Sequence, residues 1–310
     1  MTDAALDDPD ALLAREAALR ARAGSLRMRD AAAALGVPEA ALLEVRRQGG
    51  EAIRLARPEA PEGFGRLLAR LPEAGTVMAL TRNETAVHEK VGRFNEPAIE
   101  GTLGQVVGAI DLRLFLQHWR FGYALTEGTL ASLQFFDAAG TAVHKVYRRP
   151  ETDPAAFDRI VADFADAAAA PAHFDPPAPR RPERPDAEVD VTGLREAWRA
   201  LRRTDLFFGL MRQFGVTRAQ AMRLAGPVHR VEPVGPWINV LDPTFNLHLR
   251  EDRIERAWLV RKPSVNGDVH SLELFDAAGE CFVQIFGQRL AGTTERTDWR
   301  ALVGSLPAAD

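Results

Sequence analysis

Apolar and polar residues alternate over several short stretches of the chain. TVMALT (76–81) and TAVHEKV (85–91) read as strands, and IDLRLF (110–115), TAVHKVY (141–147) and CFVQIF (281–286) follow a period of two. That period predicts strands with one buried face. Helical spacing predicts helices over DRIVADFADAAAA (158–170), TDWRALVGSL (297–306) and FGRLLARLPEAG (64–75). RMRDAAAALGVPEAALLEVR (27–46) reads as two helices joined by a tight turn, and a similar pair is expected at 209–224. Between 171 and 185 the chain reads PAHFDPPAPRRPERP, too rich in proline for a helix or a central strand. It is read as a semi-rigid linker.

The two sides of that linker are repeats. LQFFDAAG (133–140) matches LELFDAAG (272–279) at an offset of 139 residues, and Trp119 and Trp258 share that offset. FDAAG predicts a hairpin turn whose glycine takes a positive φ. Upstream, LGVPEAAL (35–42) matches FGVTRAQA (214–221) at an offset of 179, while Asp111 and Asp242 differ by 131. The second half is therefore expected to lack about 48 residues, roughly the helix and two strands within 62–92. Such a deletion should leave exposed sheet edges. The expected class is α+β, a tandem structural repeat, each half with short helices and an antiparallel β-sheet meander. The expected domains are 1–170, a Pro-rich linker at 171–189 and a shortened repeat at 190–310.

Composition narrows the function. With 310 residues, 46% hydrophobic and a net charge of −4, the chain has a globular balance and no excess of positive charge for nucleic acid. The helix pair at 27–46 resembles a helix-turn-helix, but PEAALLEVR offers few side chains for phosphates or base edges, so it is read as structural. No apolar run reaches the ~18 residues of a membrane span. The acidic start, MTDAALDDPD, predicts no export signal, hence a cytoplasmic protein. The lone Cys281 cannot form an internal disulfide. Of 39 basic residues only Lys90, Lys145 and Lys262 are lysine, so 36 are arginine.

No Gly-rich phosphate loop, zinc-protease helix or nucleophile elbow is present, and the seven histidines show no metal-ligand spacing. Arg113 and Phe115 alternate with Leu112, Leu114 and Leu116, so they share one strand face. An arginine beside a phenylalanine there suits a flat, apolar, anionic ligand. Taken alone, the pattern fits an arginine on a solvent face better.

TRNETAVHEKVG, IDLRLFLQHW, FFGLMRQFGVTRAQA, GPWINVLDPTFNLHL, AWLVRKPSVNGDVHSLELFDAAG and IFGQR together make the chain resemble the haemin-degrading factors of bacterial haem uptake, the HemS/ChuS type. The resemblance covers nearly the whole chain, and the family is itself an internal duplication. It implies a cytoplasmic haem-utilisation protein with haem (b-type) as ligand or substrate, bound in a cleft between the halves. It implies haem trafficking, or oxidative ring opening that releases iron, or both, with an uptake transporter or a downstream haem acceptor as partner. By resemblance Arg113 is the distal arginine, with a catalytic role, and Phe115 the aromatic near it. Arg218, Lys262 and Arg289 match basic residues around the propionates, carboxylates that an arginine fork can hold.

Two departures stand out. The family's proximal histidine lies in a pattern like TDxHxFF, and its place here is taken by Asp205 in RRTDLFF (202–208). An aspartate is a poor axial ligand for haem iron and a good helix N-cap. His118, His229 and His248 are the candidate replacements. The family also carries the segment missing from the second half. These departures keep a second function open: a non-enzymatic protein that binds haem or another tetrapyrrole loosely, or acts as an interaction partner. A third is a decayed copy without any ligand.

Overall fold

The computed structural model describes residues 8–306 except 25, 61, 178, 180–181, 202–205, 219, 222–237, 243–244 and 290–292. Its helices and strands form two compact units. The first gathers residues up to Arg82, Val87–Ala178 and Val240–Leu247. The second gathers Asn83–Ala86, Pro179–Asn239 and the chain from His248 onward.

The first unit opens with three helices, α1 (Pro9–Ala23), α2 (Met28–Leu35) and α3 (Glu39–Gln48). Asp8 caps α1 by accepting from the Ala11 N–H at 2.9 Å. Gly36 ends α2 in the left-handed conformation at φ 69°, as the Leu-Gly-Val-Pro turn requires. Then come β1 (Ala52–Leu55), the short helix α4 (Gly65–Leu68), β2 (Gly75–Arg82) and β3 (Ala86–Arg93). The single helix expected over 64–75 is in fact two pieces, α4 and a 3-10 turn at Leu71–Ala74. Pro72 has no N–H to continue an α-helix.

A small sheet follows, β4 (Ala98–Glu100), β5 (Leu103–Val106) and β6 (Leu112–Phe115). The meander is β7 (Phe121–Glu127), β8 (Leu130–Phe136) and β9 (Ala142–Thr152), closed by α5 (Pro154–Phe164). The large sheet runs β1-β7-β8-β9-β2-β3 and is extended by β11 (Phe245–Leu249) and then β10 (Ile238–Asp242). Strands from the second half of the sequence thus complete the first unit's sheet.

Period-two alternation gives this sheet two apolar faces. Ala124, Leu133, Phe135 and Val146 bury one face against α4, α5 and Trp119. Ala52, Phe121, Tyr123, Leu125 and Phe136 bury the other under α1–α3. The start of the proline-rich segment is tied down here. Phe174 packs edge-on to Phe121 with ring centroids 5.0 Å apart, and Asp175 N–H donates to the Ala138 carbonyl at 2.9 Å.

The second unit repeats the meander. Helices α6 (Val191–Arg199) and α7 (Phe207–Phe214) cover a sheet of β12 (Arg256–Lys262), β13 (Val269–Phe275) and β14 (Cys281–Phe286), with the closing helix α8 (Thr297–Gly304). Trp258, Val260 and Phe275 face the helices, as Tyr123, Leu125 and Phe136 do in the first unit. Both FDAAG turns are built alike. The Asp137 carboxylate accepts from Ala139 and Thr141 N–H at 3.0 and 2.8 Å; Asp276 accepts from Ala278 and Glu280 at 3.0 and 2.9 Å. Gly140 and Gly279 stand at φ 75° and 77°. A register shift follows at equivalent places, between Phe135 and Phe136 and between Leu274 and Phe275.

One expected equivalence fails. Trp258 pairs across the strands with Glu273, as Tyr123 pairs with Gln134, so its counterpart is Tyr123 and not Trp119. The β7–β8 connection is 128–129, whereas the β12–β13 connection is 263–268. The longer loop shifts the offset of the preceding strand from 139 to 135. In the large sheet β9 lies between β8 and β2; in the second unit, among the described residues, no strand pairs beyond β14.

Candidate functional site

The β4–β6 sheet turns Leu114 inward, 3% exposed, and presents Arg113 and Phe115 outward. Phe115 is 47% exposed and pairs across the strands with Leu103, itself 53% exposed. Arg113 pairs with Gln105, and its guanidinium makes no hydrogen bond among the described residues. The result is an apolar platform of two side chains with an uncommitted guanidinium at its edge. Leu112, Leu114 and Leu116 lie on the opposite side of the strand, as the alternation requires.

Arg218 and Lys262 come together in the second unit, on a carboxylate that the sequence reading did not single out. Arg218 donates from Nε and Nη2 to the two oxygens of Glu273, each at 2.8 Å. Lys262 Nζ donates to Glu273 Oε1 at 2.6 Å and to Ser271 Oγ at 3.3 Å, and Ser271 donates to the same carboxylate at 2.9 Å. Glu273 is fully buried and Lys262 is 4% exposed. Phe207 lies under both cations, 5.7 Å from Arg218 and 5.4 Å from Lys262, and Phe286 lies 5.8 Å from Lys262. Burial alone would raise the Glu273 carboxyl. The hydrogen bonds from Arg218 and the charge of Lys262 outweigh it and hold the group below the usual carboxylate range. Burial pushes the Lys262 ammonium down, against the pull of Glu273. Burial likewise raises the thiol of Cys281.

Arg289 lies apart from this cluster. It is exposed, and its Nη1 reaches Ser264 Oγ at 3.5 Å, the limit of a hydrogen bond.

The first unit carries the same cluster with its charges exchanged. Glu39 opens α3 and accepts from Lys145 Nζ on β9; Lys145 faces Gln134 on β8. Arg218 opens the helical turn after α7 and grips Glu273 on β13, which faces Gln284 on β14. The equivalences are Glu39 with Arg218, Gln134 with Glu273 and Lys145 with Gln284. In both units an ion pair clamps a helix start to the meander, and in the second unit Lys262 adds another cation to the same carboxylate. The offsets of 179 and 139 contained this signal, because the matched positions carry opposite or exchanged charge.

Asp205 and His229 lie outside the described residues. His118 is exposed on a 3-10 turn after β6, and His248 lies on β11. His144 is buried on β9, its Nδ1 2.9 Å from Thr81 Oγ1 and its ring centroid 5.8 Å from that of Trp119. Among the described residues no three His, Cys, Asp or Glu side chains converge as metal ligands. No described helix is long and apolar enough to cross a membrane.

Comparison with known proteins is consistent along the chain. Residues 36–164 and 216–306 match the haemin-degrading HemS.ChuX domain family. The hemin transport protein HmuS of Yersinia pestis is 34% identical over 328 residues, covering 90% of this chain and 92% of its own. Holo-PhuS, a heme-binding protein from Pseudomonas aeruginosa, superposes with a TM-score of 0.89 at 37% identity, covering 97% of this chain and all of its own. The heme-degrading enzyme ChuS of Escherichia coli O157:H7 superposes with a TM-score of 0.84 at 30% identity, covering 97% of this chain and all of its own. The duplicated meander, the shared turns and these matches place the chain in the haemin-degrading HemS.ChuX domain family.

Proposed function

We propose that this chain is a cytoplasmic haem-utilisation protein that binds haem as cargo or substrate. The observation that carries the reading is the Leu103–Phe115 platform with Arg113 beside it. Haem is a flat apolar ring with two carboxylates, and two exposed apolar side chains next to a permanently charged N–H donor match that chemistry. Leu103 and Phe115 take ring surface out of water. Arg113 supplies a hydrogen-bond donor on that side of the ring. HmuS and PhuS, named for hemin transport and heme binding, support trafficking, with a haem transporter or a downstream haem acceptor as partner. ChuS, named a heme-degrading enzyme, supports oxidative ring opening, in which the haem itself carries the oxygen chemistry and the protein orients it.

The contacts of Arg218 and Lys262 favour a second reading. Both cations are engaged by Glu273, which points to a looser hold on haem and to carriage without ring opening.

Haemin titration read by absorbance from 350 to 700 nm tests the proposal. A saturable Soret shift that weakens in Arg113→Ala and Phe115→Ser supports it; no shift at any haemin concentration sinks it. Adding ascorbate to the complex separates the readings. Loss of the Soret band with a biliverdin-like product identifies an enzyme, and a stable Soret band a carrier.

A further inference from the structure

The inference rests on the haem-binding reading and concerns what a ligand's carboxylates can reach. Arg218 and Lys262 are the basic residues that the family resemblance matches to propionate binding, and the structure gives both a protein carboxylate. The Arg218 fork is filled by two parallel N–H···O bonds of 2.8 Å. Lys262 and Ser271 donate to the same carboxylate. Phe207 lies beside both cations and Phe286 beside Lys262. The first unit carries an equivalent ion pair of reversed polarity, Glu39 with Lys145. The pair is therefore a part of the fold used twice, and an open receptor for ligands is not needed to explain it.

We propose that Glu273 is a resident carboxylate that keeps Arg218 and Lys262 closed to the carboxylates of a bound porphyrin, and so sets how far the chain distinguishes free-acid from esterified ligands. An incoming carboxylate must either displace Glu273 or share its cations. Displacement leaves Glu273 buried without its partners, which is strongly unfavourable. Ligand carboxylates are then left to exposed groups such as Arg289, where solvent screens the attraction.

The test compares haemin with haemin dimethyl ester, which keeps the ring and the iron but has no free carboxylate. The wild type is expected to bind the two within about threefold of each other, and Lys262→Met to leave that ratio alone. Glu273→Gln, which frees both cations, is expected to raise the preference for haemin at least tenfold. A tenfold wild-type preference that disappears in Lys262→Met overturns the proposal, as does an unchanged ratio in folded Glu273→Gln. A wild-type preference that survives Lys262→Met but disappears in Arg218→Met overturns it too; only a preference that survives both variants is carried elsewhere and agrees with it. Should Glu273→Gln fail to fold, the wild type, Lys262→Met and Arg218→Met decide. If the wild type binds neither porphyrin, the haem reading falls on its own, and Glu273→Ala decides the inference. Added propionate should then raise the melting temperature of that variant or restore its folding, while propionamide should not. Equal effects of the two, or none, overturn it.

Discussion

Glu39 and Arg218 stand at the same position of the two repeats, each the first residue of a helix, and each holds that helix to the sheet through an ion pair of opposite polarity. The partner moves with the charge. It is Lys145 on the third strand of the first meander and Glu273 on the middle strand of the second. A buried ion pair tolerates this exchange because the attraction depends on the product of the charges. It does not tolerate the loss of one member.

That asymmetry gives the first expectation. Lys145→Met leaves Glu39 as an uncompensated buried charge and should destabilise the protein by about 3–5 kcal/mol. Glu39→Leu combined with Lys145→Met should cost much less than Lys145→Met alone, since two apolar groups replace two desolvated charges. Urea denaturation of both single variants and the double variant measures the coupling. Purely additive losses would show that the pair does not act as a clamp.

A pH dependence follows from His144. Burial, with the charge of His88 adding to it, lowers its imidazole from 6.5 to about 4. The unfolded chain takes up this proton near 6.5 and the folded chain resists it until about 4. Stability is therefore lost as pH falls through that window, by up to about 1.4 kcal/mol per pH unit from this group. The equivalent position in the second repeat is Val283, opposite Leu274 as His144 is opposite Phe135. His144→Val should flatten the stability profile between pH 6.5 and 4. An unchanged slope in that variant would assign the effect to other groups.

Arg113 and Phe115 should separate binding from folding. Both are exposed and neither belongs to an apolar core. Arg113→Ala and Phe115→Ser should leave stability within about 0.5 kcal/mol of the wild type, the usual range for surface changes. Each should weaken haemin binding several-fold. A large drop in melting temperature with unchanged haemin affinity would reverse both assignments.

Gly140 should tolerate no side chain. At φ 75° a Cβ would lie 2.7 Å from Pro38 Cβ and 2.9 Å from Phe174 Cδ1, and the Gly140 carbonyl accepts from the Ala40 N–H in the first turn of α3. Gly140→Ala adds a left-handed penalty of about 1–2 kcal/mol to those clashes. The expected loss exceeds that penalty alone, read as the shift in urea midpoint.

The meanders and their turns were legible in the sequence because they rest on local rules. Alternation fixes strand faces, and Asp and Gly in FDAAG fix the turn. The outward pair Arg113 and Phe115 was legible for the same reason. What the sequence did not reveal is non-local. Leu103 becomes part of the platform only through its pairing with Phe115. Glu273 looked like one more polar residue on an alternating strand, and only the fold brings Arg218 to it across 55 positions. Trp258 was matched to Trp119 because a single offset was carried across a hairpin whose connection had lengthened. The helix expected over 64–75 ignored Pro72, which divides it.

The large sheet has a consequence for how the chain is made. Its last two strands, β11 and β10, come from residues 238–249, far beyond the proline-rich segment. During synthesis the strand β3 emerges from the ribosome long before its neighbour exists, and until then it is an open edge with unpaired backbone groups. Closing that edge requires contacts between residues about 150 positions apart, the kind of pairing that slows folding. A fragment truncated at the proline run would keep the helices and the first meander yet lack the strands that finish the sheet. It should therefore self-associate more than the full chain.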